Sequence, residues 1–174
     1  MSSSERLLLI LHIGFAIFTL GPLTAATMAT PRYIRRREVT VVRYLNRATR
    51  IYGIATLGIF LFGLFLAKGA FDRAWLSASM TLFIVALVLL FIVERDQRGA
   101  VRALEAAGQA PAVPEPTAES AEEPAEGADE QEAKAAEPAP SDVAQVERGR
   151  IAAFSGVIAL LWLVILFLMV WYGG

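Results

Sequence analysis

Residues 7–37, LLLILHIGFAIFTLGPLTAATMATPRYIRRR, decide the fold. Residues 7–29 contain no Asp, Glu, Lys or Arg. At a rise of ~1.5 Å per residue this stretch crosses the ~30 Å hydrocarbon core once as a helix. It then runs directly into arginines at 32, 35, 36 and 37, followed by 43, 47 and 50. A long uncharged helix ending in a cationic loop is a membrane span whose basic end is held on one side.

Three more apolar runs follow, at residues 51–67, 75–93 and 151–172. Soluble domains of this size rarely contain four such runs joined by charged loops, so the fold class is all-α, a membrane protein with four transmembrane helices. Apolar residues make up 56% of the chain, and the mean hydropathy is +0.52. The net charge of -1 conceals two separate patches of opposite sign. The absence of Cys excludes disulfides, thiolate metal sites and cysteine nucleophiles. Residues 7–29 are read as a span and not as a cleaved leader. The preceding residues balance Arg6 against Glu5, the run is longer than a typical leader core, and cleavage would leave the arginines outside.

Orientation follows from the basic residues beside the runs. The first loop holds the seven arginines, and the third carries Arg95, Arg98 and Arg102 at one end with Arg148 and Arg150 at the other. The second loop has only Lys68 and Arg73. The positive-inside rule therefore puts the first and third loops in the cytoplasm of a bacterial plasma membrane and both termini outside. Trp75, Trp171 and Tyr172 then fall at the outer interface, where amphipathic rings are favoured.

Residues 111–142 contain six prolines, ten carboxylates, one lysine and no aromatic side chain. Such a stretch cannot bury enough apolar surface to offset its chain entropy, which predicts a disordered acidic cytoplasmic linker between helices three and four. A helical extension over 94–108 precedes it, with Val101 and Leu104 among good helix formers. The chain thus divides into 1–108 with three spans, 109–142 as linker and 143–174 with the fourth span.

The first helix is the least ordinary. On a 100° wheel Gly14, Phe18, Gly21, Ala25 and Ala29 form a mostly small stripe that permits close helix approach in lipid. His12, Ala16, Thr19, Leu23, Thr27 and Thr30 lie opposite, and polar groups at this depth face protein or water. Both faces are therefore expected to be covered by protein, one by another subunit, with Gly14, Thr19, Gly21, Ala25 and Ala29 as packing or partner contacts. Pro22 removes a backbone hydrogen bond and predicts a kink. His12 is the sole histidine. It has two readings: a neutral imidazole bonded to another helix, or a haem ligand or proton carrier. Bis-histidine ligation within one chain is impossible, leaving Met28 or Met80 as a second axial ligand.

If residues 38–50 extend the second helix, Arg43, Arg47 and Arg50 share one stripe, opposite Val41, Leu45, Ala48 and Tyr52. That stripe is either a binding face for anionic lipid headgroups or a solvated topology signal. No recognition motif accompanies it, and the linker is acidic, so nucleic acid is not an expected partner. Gly53, Gly58 and Gly63 are spread around the second helix by their five-residue spacing. In the fourth helix Ala152, Ala153, Ser155, Gly156 and Ala159 offer a packing surface. The second and third runs hold no ionisable residue away from their ends, so they lack the charged pathway of a pump. No nucleophile-and-base set, phosphate loop or zinc motif is present.

The stretch Leu11-His12-Ile13-Gly14, with Gly21 and then Pro31-Arg32, resembles the opening helix of a family of small bacterial integral membrane proteins of unknown function. A similar opening occurs in membrane proteins of haem biosynthesis, where the histidine is implicated in haem binding. The Trp that commonly follows there is absent from residues 15–19. Four spans with an Ala/Glu/Pro-rich linker also look like accessory subunits of the actinobacterial respiratory supercomplex of the cytochrome bcc and oxidase type. The resemblances imply a non-enzymatic accessory or assembly subunit that touches membrane lipids and other membrane subunits and needs no cofactor. The alternative is a haem-binding or redox protein using His12, with a small transporter as a third reading. The arginine asymmetry makes one direct prediction: a periplasm-dependent reporter fused after Gly174 will be active, and activity only of a cytoplasm-dependent reporter would reverse the orientation.

Overall fold

The computed structural model describes residues 2–109 and 140–172, and within them every element is helical: α1 (Ser3–Arg35), α2 (Val39–Ala67), α3 (Ala74–Gln109) and α4 (Pro140–Tyr172). All four are long and apolar enough to cross a membrane, as the four runs require. The helices outlast the runs. At ~1.5 Å per residue the 36 residues of α3 reach about 54 Å, well beyond the ~30 Å core, so residues 94–109 project past it. The start of α2 at Val39 likewise makes residues 39–50 a helical extension. Pro140 opens α4 inside the stretch read as linker, because a first helical position needs no N–H donor. The remainder of that stretch, 110–139, lies outside the described residues.

Local chemistry sets the helix ends. The Ser2 hydroxyl accepts the Glu5 N–H at 3.3 Å, and the Glu5 carboxylate accepts the Ser2 N–H at 3.1 Å, a reciprocal cap. At the other end of α1, Arg37 turns left-handed with φ 55. Its N–H bonds the Ile34 carbonyl at 3.0 Å and the Glu38 N–H bonds that of Tyr33 at 3.1 Å, which occupies carbonyls the helix leaves free. The chain reverses there, and α2 returns antiparallel to α1. Between its ends α1 runs as one helix through Pro22 and Pro31.

The four helices form a ring in which α1–α2, α2–α3, α3–α4 and α4–α1 are neighbours. Among the described residues α1 and α3 also meet across the diagonal, while α2 and α4 do not. The seam belongs to α3, where Leu76, Ser79, Phe83, Ala86, Leu90, Val93, Gln97, Ala100 and Leu104 are all buried. Their spacing alternates between three and four residues, the repeat of left-handed helix packing. Ile151, Ser155, Ile158 and Trp162 answer it from α4, and Val42, Thr49 and Thr56 repeat every seven residues on α2. Phe83 contacts Phe60 at 5.4 Å and Trp162 edge-on at 5.1 Å between ring centroids, joining three helices.

On two helices the packing resolves which positions are buried more finely than the sequence does. On α4 the bulky stripe through Ile151 and Trp162 faces the bundle, and Ala152, Ala153 and Gly156 are exposed. On α2 the fully buried positions of the basic extension are Val42 and Thr49, with Val41, Leu45, Ala48 and Tyr52 half-buried beside them. Packing against the α3 seam selects shape, not smallness. Outside, Ile17, Phe18, Phe91, Leu163 and Val170 are each more than 60% exposed. Such a surface is unfavourable in water by ~25 cal/mol per Å² and neutral against lipid tails.

The three glycines of α2 divide as their spacing requires. Gly53 faces α3, where a methyl would lie 3.2 Å from Leu90 Cδ2, and Gly58 and Gly63 face α1. A methyl at Gly58 would lie 2.6 Å from Phe15 Cδ1, so the ring sits on bare backbone. By contrast, nothing lies within 4 Å of such a methyl at Gly14 or Gly21. Gly58→Ala is therefore expected to cost about 1–3 kcal/mol by overpacking, whereas Gly14→Ala is neutral or stabilising by up to about 1 kcal/mol through helix propensity. Unfolding of the purified variants in detergent checks the contrast, which equal effects would refute.

Candidate functional site

Helix α1 presents its polar stripe to the bundle. Thr19, Leu23, Thr27 and Thr30 are buried, and Thr19 donates to the Phe15 carbonyl at 2.6 Å, Thr27 to Thr24 at 3.1 Å and Thr30 to Ala26 at 2.8 Å. Hydroxyls bonded back along their own helix need no polar partner from lipid. Thr19 is accordingly a contact inside this chain's own bundle. The opposite stripe is left largely uncovered by the other described residues. Phe18 is 76% exposed, Gly21 and Ala25 are exposed, and Gly14 and Ala29 are half-buried. The two stripes expected to be buried therefore separate into one inner and one outer face.

His12 is half-buried near the end of the bundle opposite the arginines. Its Nδ1 lies 2.8 Å from the Ile59 carbonyl of α2. A carbonyl only accepts, so Nδ1 carries the proton in the neutral ring and Nε2 keeps its lone pair. Gly63 makes this approach possible, since a methyl there would lie 3.1 Å from the ring Cε1. Met28 cannot share a metal with His12, being about 24 Å further along α1 at ~1.5 Å per residue. Among the described residues no three His, Cys, Asp or Glu side chains come together.

The arginine-bearing end, called the basic end below, holds a network that hydropathy does not reveal. Gln97, fully buried on the α3 seam, donates to the Thr30 hydroxyl at 2.8 Å, and that hydroxyl donates onward to Ala26. Asn46 of α2 donates to the Glu94 carbonyl at 3.1 Å and approaches the Gln97 amide oxygen at 3.5 Å. One amide thereby joins α1, α2 and α3, and it makes the diagonal contact between α1 and α3. Around it, Arg98 pairs with Glu94 at 2.6 Å, Arg150 lies 3.3 Å from Asp96, and Arg43 pairs with Glu105. Arg43, Arg47 and Arg50 are all exposed on α2 as their spacing implies, but Arg43 is engaged by α3.

No protein-family model, curated protein or solved structure matches this chain.

Gln97, Asn46, Glu94 and Asp96 were not candidates from sequence, where they read as the polar start of an extension. The signal was present in position: Gln97 continues the three-four spacing of Leu90 and Val93. A double-mutant cycle measures the network. Gln97→Leu combined with Thr30→Val is expected to show a coupling of about 0.6 kcal/mol in detergent unfolding. Strictly additive effects would show that the diagonal bond contributes nothing.

Proposed function

We propose that the chain is a non-enzymatic, four-pass protein of a bacterial plasma membrane, which works by lateral contact with another membrane protein. It serves as an accessory or assembly subunit of a larger complex, such as a respiratory supercomplex. The outer face of α1 carries this reading: among the described residues nothing lies within 4 Å of a methyl at Gly14 or Gly21, and Phe18 stands 76% exposed between them. Helix contacts in lipid favour small residues because backbones can then approach closely. A large ring between two glycines offers a knob beside a shallow groove. Orientation follows the arginines, with both termini outside and the 110–139 connection cytoplasmic. Arg47 and Arg50, which enter no ion pair among the described residues, meet anionic headgroups at ~1 kcal/mol each.

A second reading, haem ligation by His12, is favoured by the Nδ1 bond to Ile59, because a ring fixed through one nitrogen presents the other to a metal. A Soret band in the purified protein that disappears in His12→Ala would establish it. Its absence from the wild type removes it.

The subunit reading is tested by native purification from membranes. Gly21→Leu or Ala25→Leu should release the co-purifying protein while leaving the chain inserted, because both positions are exposed and nothing among the described residues lies within 4 Å of a methyl at Gly21. Wild-type protein running alone in native gels would overturn the reading.

A further inference from the structure

At the basic end, α3 and α4 flank a cleft of ≈ 300 Å³ lined by Arg95, Asp96, Gly99, Arg102, Glu147 and Arg150. The Asp96 side chain is only 6% exposed, and its Oδ2 lies 3.3 Å from Arg150 Nε. Even so, neither Asp96 Oδ2 nor Glu147 Oε2 receives a hydrogen bond. On the same cleft, Arg95 and Arg102 are exposed, and neither enters an ion pair among the described residues. Buried carboxylate oxygens without donors are costly, and each is a strong acceptor for any N–H that reaches it. Among the described residues, two acceptor atoms without a hydrogen-bond donor, one of them ion-paired with Arg150, thus line the same cleft as two guanidinium groups without an ion pair.

Depth narrows the ligand. Asp96 lies less than one turn past Val93, where the third apolar run stops, and Arg150 directly precedes Ile151, where the fourth begins. The cleft therefore opens where lipid headgroups lie. Gly99 shapes its floor: a methyl there would overlap the Glu147 carboxylate, so the bare backbone lets that group lie against α3.

We infer that this cleft binds a phosphoethanolamine group, with the primary ammonium on Asp96 and Glu147 and the phosphate on Arg95 and Arg102. A primary ammonium brings three N–H donors to the two carboxylates, as a lysine head does. A phosphate gives the guanidinium forks the oxygens they bind in pairs. A choline headgroup has the same charges but no N–H, so it cannot bond Asp96. A phosphatidylglycerol headgroup offers hydroxyl donors without the cation. The same chemistry is available from a lipid headgroup or from soluble phosphoethanolamine, and the depth of the cleft favours the lipid.

The full chain, purified in detergent and exchanged into nanodiscs of defined composition, is read by native mass spectrometry for retained lipid. Wild type should retain phosphatidylethanolamine about tenfold over phosphatidylcholine. Asp96→Asn and Glu147→Gln, each nearly isosteric, should abolish that preference without lowering retention of phosphatidylglycerol. Arg95→Gln combined with Arg102→Gln should lower retention of phosphatidylethanolamine and phosphatidylglycerol alike. Titration of lipid-stripped protein with soluble phosphoethanolamine distinguishes the sources: saturable binding that Asp96→Asn removes makes the free compound a ligand, and its absence alongside lipid selectivity assigns the site to the lipid. Equal retention of the ethanolamine and choline lipids with no soluble binding overturns the inference. Selectivity unchanged in both carboxylate variants does so as well.

Discussion

The alternating seam of α3 is the constraint on which the rest of the bundle depends. Lipid tails are as apolar as leucine side chains, so apolar surface alone does not draw spanning helices together, and close fit with interhelical bonding must do so. Residues 76–104 of α3 supply both. Phe83 meets Phe60 and Trp162, Leu90 meets the bare backbone at Gly53, and Gln97 reaches Thr30. A buried amide at one seam position also specifies register, because sliding α3 by a turn would strand it against apolar neighbours.

Given that seam, the asymmetry of α1 has a cause. Close approach between α1 and α2 uses the glycines of α2, with Phe15 on Gly58 and His12 on Gly63. The bulky side chains of the contact come from α1, so the glycines of α1 itself are left facing outward. Its threonines turn inward, where they bond along the helix and Thr30 receives Gln97. The small-residue stripe of α1 is thereby left on the outside of the bundle.

Beyond the apolar runs the bundle continues as a charged one. Seven of the arginines there fall into two groups. Arg43, Arg98 and Arg150 are held by carboxylates of α3. Arg47, Arg50, Arg95 and Arg102 stand exposed. The first group ties α3 to its neighbours and to itself, and the second is available to anionic groups. Only the Arg43–Glu105 pair is exposed on both sides and so contributes little stability, whereas Glu94 and Asp96 are buried carboxylates whose arginines satisfy their charge.

The sequence by itself determined the number of helices, their apolar runs and the helical extension of α3, because length, hydropathy and helix propensity are local properties. It also assigned the residues of α1 to two opposed stripes, which needs only the helical period. Which stripe turns inward was decided by tertiary packing, since both stripes deviate from an ordinary lipid face. Gln97 with Thr30, and Asp96 with Arg150, are more than fifty residues apart in the chain, and hydropathy assigns each merely a polar score. The glycines of α2 show the same division. Their five-residue spacing announced that they point in different directions, but only the assembled bundle shows that two of them receive α1. For α4, the small residues of its first half were legible, but only the assembled bundle shows that Ile151, Ser155 and Ile158 face inward there while Ala152, Ala153 and Gly156 stay outside. Local physics thus sets where the helices run, and the fit of side chains from distant parts of the chain sets which way each one faces.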